Sequence, residues 1–123
     1  MFGKKEFDGV ERFDTLIGAG SVFEGNIKSD GTIRIDGKIV GDLTINGDVY
    51  ISPGANIKGN IIANNIHNAG TVDGNIQANG TLRLLPTSKI NGDITVVSFI
   101  ADEGGVFNGK CIMKTENKSS KSK

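Results

Sequence analysis

The sequence predicts an all-β chain, a right-handed parallel β-helix (β-solenoid) of about six coils with about 17 residues in each, ending in flexible termini. Three observations predict it. A five-residue unit of the form apolar, any, glycine, polar, apolar recurs six times, and its glycines are separated by 16, 18, 15, 18 and 17 residues. Apolar and polar residues alternate over short segments, which is the period of a strand with one buried face, and helical spacing is absent. Glycine takes 18 of the 123 positions against 2 prolines, without the Gly-X-Y period of collagen, so the chain turns often and tightly.

Residues 1–14 precede the repeat and read as a flexible amino-terminal segment. The repeat domain spans 15–113. Its units are Phe23-Glu24-Gly25-Asn26-Ile27, Ile39-Val40-Gly41-Asp42-Leu43 and Ile57-Lys58-Gly59-Asn60-Ile61, then Val72-Asp73-Gly74-Asn75-Ile76, Ile90-Asn91-Gly92-Asp93-Ile94 and Phe107-Asn108-Gly109-Lys110-Cys111. Between units lie further alternating triplets: Ile33-Arg34-Ile35, Val49-Tyr50-Ile51, Leu82-Arg83-Leu84 and, less cleanly, Phe99-Ile100-Ala101. The copy at Ile66-His67-Asn68 breaks the pattern at its third place. Asp36-Gly37, Asn46-Gly47, Ser52-Pro53-Gly54, Asn68-Ala69-Gly70 and Asn79-Gly80 punctuate these strands with residues that accept positive φ cheaply. The tail, 114–123, holds four lysines and one glutamate with no apolar side chain, the composition of a disordered segment.

No single coil can bury its own apolar side, so like strands of successive coils must stack, about 4.8 Å apart. The stacking predicts one buried ladder of Ile27, Leu43, Ile61, Ile76 and Ile94, and a second of Phe23, Ile39, Ile57, Val72, Ile90 and Phe107. A rival is the left-handed hexapeptide helix of trimeric acyltransferases, favoured by Ile33, Ile39, Ile45, Ile51 and Ile57 standing six apart. That run then fails at Ala63, Ala69, Asn75 and Thr81. A monomeric β-solenoid that binds a ligand on one face is a second alternative.

Composition removes several functions. A single cysteine cannot form an internal disulfide or a thiolate metal site, and Cys111 reads as a small buried apolar group. No apolar run approaches the roughly 18 residues of a membrane span, and no signal peptide opens the chain. Fourteen basic and fourteen acidic residues give zero net charge, against a nucleic-acid partner. No nucleophile elbow, phosphate loop, dinucleotide fingerprint or metal-ligand spacing is present, so no catalytic residue, cofactor or metal is assigned and the chain is not expected to be an enzyme. The single histidine, His67, reads as an outward, solvated strand residue, and Asp42, Asp73 and Asp93 as solvent-facing.

The functional signal lies at the ends. A solenoid exposes unpaired backbone groups at its first and last coils, and no capping helix is legible here. The terminal coils carry Phe23 and Phe107 where interior coils carry Ile or Val, with Phe13, Leu16 and Ile17 before the first and Phe99, Val106, Cys111 and Met113 in the last. Such residues either plug the core or stack on another molecule, and contacts that do not close make a filament. The polymer interface is therefore assigned to Phe13, Leu16, Ile17, Phe23, Phe99, Val106, Phe107 and Met113. At the amino terminus, Met1, Phe2, Gly3, Lys4, Lys5 and Phe7 combine apolar groups with adjacent lysines, a weak interfacial anchor that many copies presented together would strengthen.

The ordered blocks Ile33 to Leu43, Gly54 to Ile61, Ile90 to Ile94 and Gly104 to Met113 closely resemble the bactofilins, over about Thr15 to Met113. The resemblance implies a bacterial cytoskeletal scaffold whose coils polymerise end to end without nucleotide, into filaments, bundles or sheets, with like ends meeting. It also implies association with the inner face of the cell membrane through the amino-terminal segment, no cofactor, and work in cell shape, wall synthesis or protein localisation. The partners implied are the chain itself, the cytoplasmic membrane, and wall-synthesis or polarity proteins.

Overall fold

Each turn of the chain lays down three short strands, and six turns stack into a three-sided parallel solenoid. The computed structural model describes residues 14–114; the predicted amino-terminal segment and lysine-rich tail, apart from Asp14 and Lys114, lie outside the described residues. The first coil contains β1 (Thr15–Ile17), β2 (Val22–Glu24) and β3 (Ile27–Asp30). The second contains β4 (Ile33–Ile35), β5 (Lys38–Val40) and β6 (Leu43–Asn46), and the third β7 (Asp48–Ile51), β8 (Asn56–Lys58) and β9 (Ile61–Ala63). The fourth runs through β10 (Asn65–Asn68) and β11 (Thr71–Asp73) into the first half of β12 (Ile76–Leu84). The rest of β12, β13 (Lys89–Asn91) and the start of β14 (Ile94–Ala101) form the fifth. The remainder of β14, with β15 (Val106–Asn108) and β16 (Cys111–Met113), forms the sixth.

All pairings are parallel and join like strands of neighbouring coils. The result is three faces, named here by their first strands. The β1 face stacks β1, β4, β7, β10 and the second halves of β12 and β14. The β2 face stacks β2, β5, β8, β11, β13 and β15, and the β3 face holds the remaining strands. Both predicted ladders are present in register, with Phe23↔Ile39↔Ile57↔Val72↔Ile90↔Phe107 on the β2 face and Ile27↔Leu43↔Ile61↔Ile76↔Ile94 on the β3 face. Between the end coils their members are fully buried, each contributing about 1.5 to 3 kcal/mol of apolar burial. The isoleucines spaced by six fall on the three faces in rotation, through β4, β5, β6, β7 and β8. Six residues per side is thus a local property of one stretch, lost where the corners change length.

The repeat glycine is the corner between the β2 and β3 faces. Gly41, Gly59, Gly74, Gly92 and Gly109 sit at φ between +145° and +152°, and a Cβ on any of them would lie 1.8 to 2.0 Å from the carbonyl oxygen of the glycine one coil below. Only glycine fits. The residue after it supplies a second ladder. The side-chain oxygen of Asn26 accepts from the N–H of Asp42 at 2.9 Å, Asp42 from Asn60 at 3.0 Å, and Asn60 from Asn75 at 2.9 Å. Asn75 then accepts from Asp93 at 3.0 Å and Asp93 from Lys110 at 3.1 Å. Asp42 and Asp93 are therefore structural acceptors as well as solvent-facing side chains.

The irregular copy at Asn68 also has a local cause. Asn68 keeps its place in the inward column, opposite Ile51 and Leu84, and is fully buried. Its Oδ1 accepts from the Gly70 N–H at 3.0 Å, which closes a corner only two residues long.

Candidate polymer interface at the open coil ends

Interior coils are covered above and below, and the end coils are covered once. β1, β2 and β3 pair only with β4, β5 and β6, and at the other end β15 and β16 pair only with β13 and β14. Among the described residues nothing lies over either end. The same inward positions that are sealed in coils two to five therefore open to solvent: Phe23 is 36% exposed, whereas Ile39 directly above it is 0% exposed.

Of the predicted interface residues, the structure brings Ile17 and Phe23 to the first end. Ile17 pairs with buried Ile35 and packs against the core. Phe99, Phe107 and Met113 gather at the last end. The rings of Phe99 and Phe107 meet edge to face with centroids 6.1 Å apart, closing the top of the core as a shallow apolar floor. Leu16 and Val106 belong to the end coils but point outward on the β1 and β2 faces, so they form the rim. Phe13 and the proposed membrane residues Met1, Phe2, Gly3, Lys4, Lys5 and Phe7 lie outside the described residues.

Two end residues escaped assignment. The sequence places Ile27 as an ordinary ladder member, yet it is the first of its ladder and only partly covered. Cys111 is exposed, correcting the buried reading: it occupies the inward column above Ile94, and no described residue covers it. Its Sγ lies 3.8 Å from Met113 Sδ. Position in the stack, which the residue type does not reveal, is what exposes both.

Among the described residues, charged columns stand on the lateral walls. On the β1 face the outward column runs Arg34, Tyr50, His67, Arg83. Tyr50 and His67 stack with ring centroids 4.6 Å apart and planes 6° from parallel. Arg34 pairs with Asp36 at 2.9 Å and Arg83 with Asp102 at 3.1 Å. His67 is outward as predicted but half-buried, which corrects the solvated reading. Burial holds its pKa below the ordinary 6.5, Asp48 pulling it up and Arg83 down. Burial, with Asp48, raises Tyr50. Among the described residues no three His, Cys, Asp or Glu side chains cluster as metal ligands, and no helix is long and apolar enough to cross a membrane.

A family model described as "Bactofilin: Polymer-forming cytoskeletal" matches residues 15–112. The chain belongs to the bactofilin family. The match begins at β1 and ends within β16, so it takes in all six coils. A solved structure, the cytoskeletal bactofilin BacA determined by solid-state NMR, is similar at 27% identity and a TM-score of 0.73, covering 81% of this chain and 95% of that one. No curated protein matches the sequence. This bactofilin is thus a polymer-forming cytoskeletal protein by family, with the parallel β-solenoid fold that its repeat predicts.

Proposed function

We propose that this bactofilin is a non-enzymatic scaffold that assembles end to end into filaments without nucleotide. The observation that carries the reading is the pair of end coils that no described residue covers, which leave strand edges unpaired on all three faces and apolar residues open beside them. A second molecule stacked there continues the parallel ladder and buries the Phe99 and Phe107 floor, so new backbone hydrogen bonds and apolar burial drive assembly without hydrolysis. The filament lies at the inner face of the cell membrane, held by Met1, Phe2, Gly3, Lys4, Lys5 and Phe7, which are weak singly and strong when a polymer presents many copies. As a membrane-bound scaffold it localises wall-synthesis or polarity proteins and supports cell shape.

One experiment tests both parts. Sedimentation and liposome flotation are compared for the full chain, for Phe107→Arg, and for a chain lacking residues 1–7. Phe107→Arg sets a charge on the end floor and is expected to remain a folded monomer in the supernatant; full-sized polymer from it would defeat the assignment of that end. The truncated chain is expected to polymerise normally and lose flotation, and unchanged flotation would defeat the membrane assignment.

A further inference from the structure

Coil one leaves more apolar surface open than an end contact covers. Phe23 and Ile27 open along the axis, but Leu16, 58% exposed, and Val22, 63% exposed, point sideways from β1 and β2. The chain that precedes them starts close by. Asp14 is fixed at the rim of coil one: its N–H donates to the Thr32 carbonyl at 2.8 Å, and its carboxylate accepts from the Thr32 N–H at 2.8 Å. In later coils the residues just ahead of a β1-face strand end the β3-face strand one coil below, so that the same path brings residue 13 to the open edge of β3.

The sequence ahead of Asp14 partly repeats coil one. Phe7-Asp8-Gly9 stands sixteen residues before Phe23-Glu24-Gly25, the separation also found between Gly25 and Gly41. In that register Phe7 falls below Phe23 as Phe23 falls below Ile39. The match then weakens. Val10 and Glu11 stand where the other units carry a polar and then an apolar residue, and Asp8 falls on Glu24, a like-charge pair. Gly9 is six residues ahead of Thr15, whereas the other corner glycines are seven or eight ahead of the matching strand position. Terminal repeats of a solenoid depart from the consensus in this way when they serve as caps.

We propose that residues 7–13 dock on the first coil as a partial, displaceable rung, with Phe7 on Phe23, so that the chain caps its own first end. What this does to assembly rests on the end-to-end reading above. A second molecule reaches that end only by displacing the cap, whereas no described residue competes for the Phe99 and Phe107 floor at the other end. Phe7 is also assigned to the membrane, and one side chain cannot fill both places. Attachment to a bilayer therefore removes the cap and frees the first end for stacking.

Docking is tested by cross-linking the full chain carrying Cys111→Ser and Phe107→Arg. Asp8→Cys with Glu24→Cys sets two outward positions one rung, about 4.8 Å, apart, inside the roughly 4.4–6.8 Å Cα span of a disulfide. Asp8→Cys with Val40→Cys sets them two rungs, about 9.6 Å, apart and out of range. With oxidised glutathione the first pair is expected to close within one chain at least about tenfold faster than the second, read by non-reducing gel and peptide mass. Assembly is read as the critical concentration for sedimentation of the chain with its native Cys111 and Phe107, without lipid. A cap that leaves about one molecule in five open raises that concentration about fivefold, so Phe7→Ser is expected to lower it about fivefold. At high protein both pellet fully, as the chain lacking residues 1–7 does. Phe2→Ser, outside the rung, leaves the critical concentration unchanged. Equal closure of the two cysteine pairs, an unchanged critical concentration in Phe7→Ser, or an equal fall in Phe2→Ser overturns the proposal. A wild-type chain that forms no filament at any concentration defeats the end-to-end reading, while the cross-link still decides the docking.

Discussion

Gly74 stands at φ +148°, with the carbonyl oxygen of Gly59 1.9 Å from where its Cβ would be, so the backbone of one coil occupies the space a side chain would need in the next. Gly54 also has positive φ, +90°, but faces open space. The pair separates two effects. Gly54→Ala is expected to cost about 1 kcal/mol from φ alone, and Gly74→Ala at least about 3 kcal/mol, because the coils must also part. Urea unfolding in the monomeric Phe107→Arg background measures both; equal losses would show that coil contact adds nothing. The recurrence of these glycines was legible because steric exclusion permits only one residue type. The ladder of Asn26, Asp42, Asn60, Asn75 and Asp93 was harder to see, since a polar residue after a turn glycine suits a solvated corner equally well. Its signature is chemical: five carboxylate or amide side chains in a row, ending at Lys110, which cannot accept a hydrogen bond.

Columns across a face are the next unit of behaviour. Arg34, Tyr50, His67 and Arg83 come from four strands separated widely in sequence, and parallel register alone sets them one above another. The stack buries the His67 imidazole and disfavours its charged form. The unfolded chain therefore takes up its proton first as pH falls, so this stabilisation is complete above the ordinary pKa of 6.5 and is lost as pH drops through 6.5 toward the lower folded value. Thermal unfolding of the monomeric background is expected to show a falling midpoint from pH 7.5 to about pH 5, and His67→Phe, which keeps a ring on Tyr50, flattens that part of the slope. An identical slope in both proteins would contradict the stack as its source. Strand positions and both buried ladders were legible in the alternation of the triplets. Corner lengths were not: β10 to β11 takes two residues and β7 to β8 takes four, and the chain absorbs the difference without changing register on the β2 face.

At the scale of the molecule, six coils give a prism of roughly 29 Å along its axis, with covered interior rungs and two ends that no described residue covers. Repeat number, stacking and the aromatic character of the ends were all readable from order along the chain. The ladder placed Phe107 inward and so Val106 on the rim, but the directions of Leu16 and Ile17 were not readable, because neither belongs to a repeat unit and the two differ only in strand parity. Family membership makes the chain a polymer-forming cytoskeletal protein, and the uncovered rungs propose how the polymer is made. If coils stack across the subunit boundary, the strands of every subunit lie perpendicular to the filament axis. X-ray diffraction from oriented filaments measures this directly: the account predicts a reflection near 4.8 Å along the filament axis, whereas the same reflection across the axis would mean that the solenoids join side by side and would contradict it.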